Sequence, residues 1–390
     1  MFKKINLEHI NKPIKEYRVQ KNEIILAIEN CVKQIDANMD VFLNRFPSPG
    51  CKNDRYDIID NIEWTNGFWT GLLWLAYEYT HDEKYQKLAC DNILSFKERI
   101  DKMIELDHHD LGFLYSLSCV AGYKLIDNQI GKECALKACD KLISRFQNKG
   151  EFIQAWGEKG NPDHYRFIVD CLLNIPLLYW GSEVSGNPIY KEIADKHFKT
   201  TCLYAIRDDA STFHTFYMDP ITGEPLKGVT RQGFSDDSSW ARGQAWAIYG
   251  MALNYRYTKN PDIIPIFKAV SNYFINRLPK DYVCYWDLIF DDTSNHSKDS
   301  SAAAIAVCGF LEMSKYLEPN DSDLYLNYAH TIMHSLISNY TGTVKKQAPI
   351  LYHGVYSYHS GRSVDEGNIW GDYFYLEALI RLYKHWEPYW

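Results

Sequence analysis

The sequence predicts an all-α toroid, a ring of helical hairpins whose inner helices begin at a common face. Three observations carry this. Apolar residues recur at the helical period along nearly the whole chain. Very little of it alternates as a strand does. Several of the helical stretches are entered through turns of Gly, Asn, Asp and Ser, often studded with aromatics.

The series opens with Asn22–Asn44, where Ile24, Ile25, Ala27, Ile28, Val32, Ile35, Met39 and Phe42 form one apolar stripe. Thr70–Thr80, Glu83–Lys102, Leu114–Lys124, Ile130–Phe146 and Cys171–Trp180 follow. Pro176 falls inside the last of these and should kink or restart it, because proline has no N–H to give the preceding turn. The second half reads Ile189–Ala205, Trp240–Tyr257, Ile263–Arg277, Ser300–Leu317, Asp323–Ser338 and Trp370–Trp386. Pro265 suits a first helical turn and Pro220 a loop turn. Short β-like pieces are expected at Phe213–Tyr217 and Val283–Trp286. The entrance turns include Trp64 to Trp69, Asp110 to Phe113, Asp237 to Trp240, Asp299 to Ser301 and Asn368 to Asp372, without a strict repeat. No Pro-rich or Ser-rich linker divides the 390 residues, which read as one domain over 1–390.

Aromatics make up 15% of the chain, with 11 Trp and 29 Tyr, which suits carbohydrate binding as well as a large core. A net charge of −8 argues against a general basic surface for nucleic acid or anionic membrane. An anionic ligand would need a local cluster of Arg and His. The ten cysteines include no C-x-x-C pair, and Cys90, Cys119, Cys134, Cys139, Cys171 and Cys308 lie in apolar runs as small hydrophobes. Met1 to Ile10 is charged, with no apolar stretch of leader length behind it, and no window approaches a membrane span. These features point to a cytoplasmic protein with reduced thiols. Oligomeric state leaves no mark in the sequence.

The run Ser235 to Ala247 concentrates the candidate chemistry. With a helix starting near Ser238 or Ser239, Arg242 and Trp246 lie one turn apart, and Trp240 pairs with Gln244 on the adjoining face. Aromatic faces can stack on sugar rings while Arg and Gln bond hydroxyls or a carboxylate. The plainer alternative is a core helix with an internally paired Arg. Gly243 costs about 1 kcal/mol against Ala in a helix interior, which implies a close neighbour.

Asp107-His108-His109-Asp110 can be read as a metal motif, but the parallel strands such a motif needs are missing from this helical context. Its other readings are a solvated loop, or a helix entrance that turns Asp110 toward a pocket. Asp170 is a lone carboxylate in the apolar run Ile168 to Pro176. It either caps the following helix, which would lower its pKa, or is a desolvated acid able to donate a proton near neutrality. His214 sits among aromatics, and Arg231 and Gln232 immediately precede the Ser235 run. No nucleophile elbow, phosphate loop or dinucleotide fingerprint is present.

Four ordered stretches, His109 to Phe113, Ile168 to Pro176, Phe213 to Tyr217 and Trp240 to Trp246, resemble the unsaturated glucuronyl hydrolases of glycoside hydrolase family 88. The resemblance runs from about Asn66 to Tyr375. It implies an (α/α)6 barrel acting on oligosaccharides with a 4,5-unsaturated uronic acid at the non-reducing end, the products of polysaccharide lyases. The implied reaction hydrates the vinyl ether and yields an unstable hemiketal that sheds the sugar. By this similarity Asp170 is the general acid and base, and Asp110 is the assisting carboxylate. His214, Gln232, Trp240, Arg242 and Trp246 match substrate-pocket positions, with Arg242 and His214 offsetting the uronate charge. Trp64, Asn66, Phe68 and Trp156 match further wall positions.

No metal or cofactor is implied. Arg231, Ser360 and Ser363 are expected to meet a sulfate on a neighbouring amino sugar, which points to chondroitin or hyaluronan fragments. The alternatives are a rhamnogalacturonyl hydrolase acting on pectin fragments, ordinary two-carboxylate glycoside hydrolysis, and a non-catalytic glycan-binding toroid.

Overall fold

The computed structural model describes residues 3–14 and 17–390. Met1 and Phe2, the first residues of the segment read as leaderless, lie outside the described residues. The chain runs through α1 (Lys21–Phe42), α2 (Asn66–Thr80) and α3 (Glu83–Asp101) into a broken segment. That segment comprises α4 (Leu111–Tyr115), a π-turn at Ser116–Val120 and α5 (Ala121–Ile126). It continues through α6 (Gln129–Ser144), α7 (Cys171–Asn174), α8 (Pro176–Ser185) and α9 (Pro188–Tyr204). The last third holds α10 (Ala241–Thr258), α11 (Ile263–Asn276), α12 (Ser300–Met313), α13 (Pro319–Asn339) and α14 (Ile369–Tyr383).

The ring closes through the even-handed alternation of these pieces. α2, α4–α5, α7–α8, α10, α12 and α14 pack side by side as an inner circle, with α14 returning onto α2. α1, α3, α6, α9, α11 and α13 lie outside. The burial patterns agree with this placement. Every residue from Ala241 to Asn254 of α10 and from Ser300 to Met313 of α12 is buried, while α3 buries only one stripe. This is the (α/α)6 barrel expected from the resemblance.

Boundaries moved where a local feature overrode the period. Pro176 restarts the helix as expected, at the first position of α8. The expected continuous helix Leu114–Lys124 is interrupted by the π-turn, where the Ser118 hydroxyl donates to Leu114 O at 2.6 Å. The helix placed at Ser238 or Ser239 starts at Ala241 instead. Ser238 Oγ is spent on Asp287 (2.7 Å) and Ser239 Oγ on Gln244 (3.0 Å), so neither caps it.

Val283–Trp286 is not a strand; only Tyr285 bridges, to Lys298. The other β-like piece is real but shifted to Thr215–Met218. It is β6 of a three-stranded sheet with β5 (Arg166–Ile168) and β7 (Pro225–Val229). The remaining strands form small antiparallel ribbons: β1 (Phe46–Pro47) with β2 (Ile58–Ile59), β3 (Phe146–Gln147) with β4 (Phe152–Ile153), and β8 (Gly354–Ser357) with β9 (Arg362–Glu366).

The two mouths of the barrel differ. Each inner helix connects to the next outer one by a short turn, whereas each return to an inner helix is longer, and four of the six carry strands. The long loops therefore gather where the inner helices begin. At the short-turn end the barrel is sealed. Trp390 stacks on Phe374 (centroids 5.8 Å apart, 5° between planes), and its indole N–H donates to Glu377 at 3.0 Å. Arg381 lies between Glu312 (2.6 Å) and Glu377 (2.9 Å), all three side chains almost fully buried. Burying charges is tolerable only when they are paired in this way. The ten cysteines are unpaired, nine of them buried. Among the described residues no helix is long and apolar enough to cross a membrane.

Candidate active site

A cleft of ≈ 570 Å³ opens at the long-loop mouth. Its base is built by two adjoining segments. Asp110 precedes α4, and Asp170 follows β5 directly before α7. Strand pairing sets Asp170 beside His214, because Ile168 is in register with Thr215 and Val169 N donates to His214 O at 3.1 Å.

Asp170 occupies the cap position of α7, but its side chain makes no capping bond. Oδ1 is buried without a partner. Burial, and then the nearby Asp110 charge, raise its pKa well above the ordinary carboxylate value against the pull of Arg242. The capping alternative, which required a lowered pKa, is not what the structure shows. For Asp110, burial alone would act the same way. His109, His108 and a hydrogen bond from Asn174 outweigh it and leave the group below its usual value. The two carboxyls are thus driven apart: one holds its proton and the other gives it up.

His109 lies between them, with Nε2 3.4 Å from Asp110 Oδ1 and 3.4 Å from Asp170 Oδ1. Burial depresses its pKa to about 4, so the ring is neutral near neutral pH. One ligand atom from each of His109, Asp110 and Asp170 falls within 4.8 Å of the others, so the trio has the spacing to hold a cation as well as a proton. His108 supports the loop: Nδ1 accepts Asp110 N–H at 3.1 Å and Nε2 donates to Glu105 O at 3.0 Å.

The walls come from separate loops. Trp64, Trp156, Ile168, His214, Arg231 and Gln232 face the cleft, and so do Tyr356, Ser357, His359, Ser360 and Arg362 of the β8–β9 ribbon. Trp64 donates its indole N–H to Tyr356 Oη at 3.0 Å and stacks on Trp370. Arg231 lies over Trp156 at 5.1 Å, and Arg166 lies over the same ring at 4.6 Å. His214 Nδ1 accepts Arg231 N–H at 2.9 Å, which leaves the ring proton on Nε2. Burial, with Arg242 and Arg231 nearby, depresses its pKa to about 3. It is therefore a neutral donor and not the cation expected from the resemblance.

Arg242 also departs from that expectation. It is buried behind the cleft wall and fully engaged. Nη1 pairs with Asp299 at 2.9 Å and also bonds Val355 O, while Nη2 bonds Gln232 Oε1 at 2.7 Å and Tyr356 O at 2.8 Å. Its role here is to hold Gln232 and the ribbon in place. Trp240 lies beside it, edge-on to His214 at 4.8 Å. Trp246 packs on Phe113 and Phe374, and Phe68 on Phe113, Tyr373 and Phe374. Asn66 is buried at the start of α2, accepting Glu63 N–H at 2.8 Å. These four form the layer beneath the cleft surface. Ser360 faces the cleft, whereas Ser363 turns away and donates to Cys51 O at 2.9 Å.

His109 was read only as part of the Asp107 to Asp110 cluster and the stretch it opens, and Tyr356 and His359, which lie in the aromatic run before the last helix, were not singled out.

The model of Glycosyl Hydrolase Family 88 matches residues 35–385. An unsaturated chondroitin disaccharide hydrolase of Streptococcus pyogenes serotype M1 is 55% identical over 394 aligned residues, covering 100% of this chain and 99% of that protein. The crystal structure of unsaturated glucuronyl hydrolase from Streptococcus agalactiae superposes with a TM-score of 0.99 at 53% identity, covering 100% of both chains. An aspartate-to-asparagine variant of that enzyme, complexed with dGlcA-GalNAc6S, gives a TM-score of 0.91 at 49% identity over 100% of both chains.

Proposed function

The chain belongs to glycosyl hydrolase family 88, and on that premise we propose that it is an unsaturated glucuronyl hydrolase acting on lyase-generated glycosaminoglycan disaccharides of the chondroitin or hyaluronan type. The whole chain serves as one catalytic domain. The observation that carries the reading is the Asp110–His109–Asp170 base of the cleft, where a desolvated, proton-holding Asp170 adjoins an ionised Asp110.

An enol ether reacts by accepting a proton at carbon, and this needs an acid that is still protonated at the working pH. Asp170 gives its proton to carbon 4 of the unsaturated uronate, and positive charge develops over carbon 5 and the ring oxygen. Asp110 stabilises that charge. The Asp170 carboxylate then takes a proton from a water molecule as the water oxygen bonds to carbon 5. The net change is addition of water across the double bond. The hemiketal opens to a ketone at carbon 5, and the hemiacetal left at carbon 1 releases the second sugar. Neutral His109 and His214 donate hydrogen bonds without competing for the transferred proton.

Arg231, stacked on Trp156 at the rim, is the cation placed for the substrate's anionic groups, with Ser360 and Arg362 opposite. The sulfated amino sugar bound by the Streptococcus agalactiae variant supports a sulfated preference. The ten unpaired cysteines support a reducing, cytoplasmic location.

The test follows the ultraviolet absorbance of the conjugated double bond in an unsaturated chondroitin disaccharide, with a rhamnogalacturonan-derived disaccharide alongside. Hydration removes the chromophore. Direct glycosidic cleavage would release reducing sugar with the absorbance intact and would overturn the mechanism. Faster decay on the pectin fragment would overturn the substrate class.

The pH dependence has a definite sign. Activity requires Asp170 protonated, so it is lost as pH rises through that raised pKa. It requires Asp110 ionised, so it is lost as pH falls through that lowered one. A kcat/KM profile with both limbs is expected, and one flat on the alkaline side would remove Asp170 as the acid.

A further inference from the structure

We infer that Asn174 is a positioning residue for this reaction, holding the two catalytic aspartates at a fixed separation and keeping the single proton on Asp170. The inference rests on the proposed hydration.

Asn174 ends the one-turn helix α7, four residues after Asp170, and is buried. Its orientation is set by chemistry. The Oδ1 atom accepts Phe113 N–H at 3.0 Å, so the amide nitrogen must face the other way. There Nδ2 donates to Asp170 O at 3.2 Å and reaches Asp110 Oδ1 at 3.5 Å. One side chain thus ties the backbone beyond Asp110, the backbone of Asp170 and the Asp110 carboxylate together.

The contact is as close as backbone allows. A Cβ added at Gly112, two residues after Asp110, would sit 2.4 Å from Asn174 Cα and 2.6 Å from its carbonyl oxygen. Only glycine there lets α4 and α7 cross at this point. Pro176 follows two residues later and ends the turn, so Asn174 cannot slide along a longer helix.

The electrostatic consequence follows from the amide's direction. An N–H aimed at Asp110 favours its charged form, in the same sense as His108 and His109 from its own loop and Arg145 beyond α6, and against Asp170 just before α7; the Cys171 thiol of α7 also faces it. Asn174 bonds only the backbone carbonyl of Asp170, whose carboxyl faces Arg242. Asn174 thus adds to the asymmetry that His109 and His108 set, under which Asp110 is the better anion and Asp170 keeps the hydrogen.

Asn174→Ala and Asn174→Asp test this with kcat and KM measured across pH, by loss of absorbance on unsaturated chondroitin disaccharide. The expected result is a kcat lowered about 10- to 100-fold with KM little changed, and an acid limb moved to higher pH in both variants. The aspartate variant is isosteric and can still accept the Phe113 N–H; its added charge raises the acid limb by itself, so in that variant only kcat at the pH optimum counts, and this decides the matter if the alanine variant does not fold. A purely structural role would lower thermal stability and leave the acid limb of the folded alanine variant where it was. That outcome, or an Asn174→Asp enzyme with wild-type kcat, overturns the inference. If wild type itself fails to consume the chromophore, the hydration reading is what has failed.

Discussion

Asp170→Asn is expected to remove turnover of the unsaturated disaccharide while leaving a folded protein that still binds it. A positioned general acid contributes about 10²–10⁴-fold, and Asp170 is proposed to serve as acid at carbon 4 and then as base toward water, so the loss should reach at least about 10⁴-fold. The fold should tolerate the change. Asp170 makes no capping bond and its Oδ1 has no partner, so an amide of the same shape removes no hydrogen bond from that atom. It also removes a carboxyl that burial and Asp110 both oppose ionising. The measurement is the rate of absorbance loss with the mutant, paired with its melting temperature and disaccharide affinity. Residual decay within tenfold of wild type would move the proton donor elsewhere, first to Asp110.

The second large effect falls on stability. Arg242→Ala should lower the unfolding free energy by about 3–5 kcal/mol, the cost of leaving a buried charge without its partner. Asp299 is that charge, fully buried and 2.9 Å from the guanidinium. The loss also frees Gln232 Oε1 and two carbonyls of the β8–β9 ribbon. Arg242→Lys should recover little, since an ammonium cannot span four acceptors spread about a planar fork. Chemical denaturation of the three proteins checks this. An alanine variant within about 1 kcal/mol of wild type, with only KM for the disaccharide raised, would return Arg242 to direct substrate contact.

These two residues also mark how far the sequence could be read. Outer helices were legible because they bury a stripe repeated at the helical period over three or more turns, as α1 and α3 do. The ribbons were not: β1 and β2 are two residues each, too short for any alternation to register. Asp170 could be placed before its helix but not assigned a protonation state. That state depends on Asp110, 60 positions earlier, and on burial contributed by the whole ring.

Arg242 was recognised as chemically important, with ligand contact and an internal pair as its two readings, and the structure shows the pair. Its partners Asp299 and the ribbon carbonyls come from other loops, and nothing local announces them. Ser360 and Ser363 sit three residues apart and diverge because the ribbon turns between them.

The sealed end of the barrel has a kinetic meaning. With Trp390 closing the far mouth, the cleft is a dead end, and whatever enters must retreat by the same door. A two-sugar substrate processed at the base leaves two fragments in file. The one nearer the entrance departs first, and the deeper one holds the site until it follows. Turnover in such a vessel is governed by an exit queue as well as by bond making. The uronate fragment should therefore behave as a competitive inhibitor toward fresh disaccharide, and a non-competitive pattern would mean a second way out.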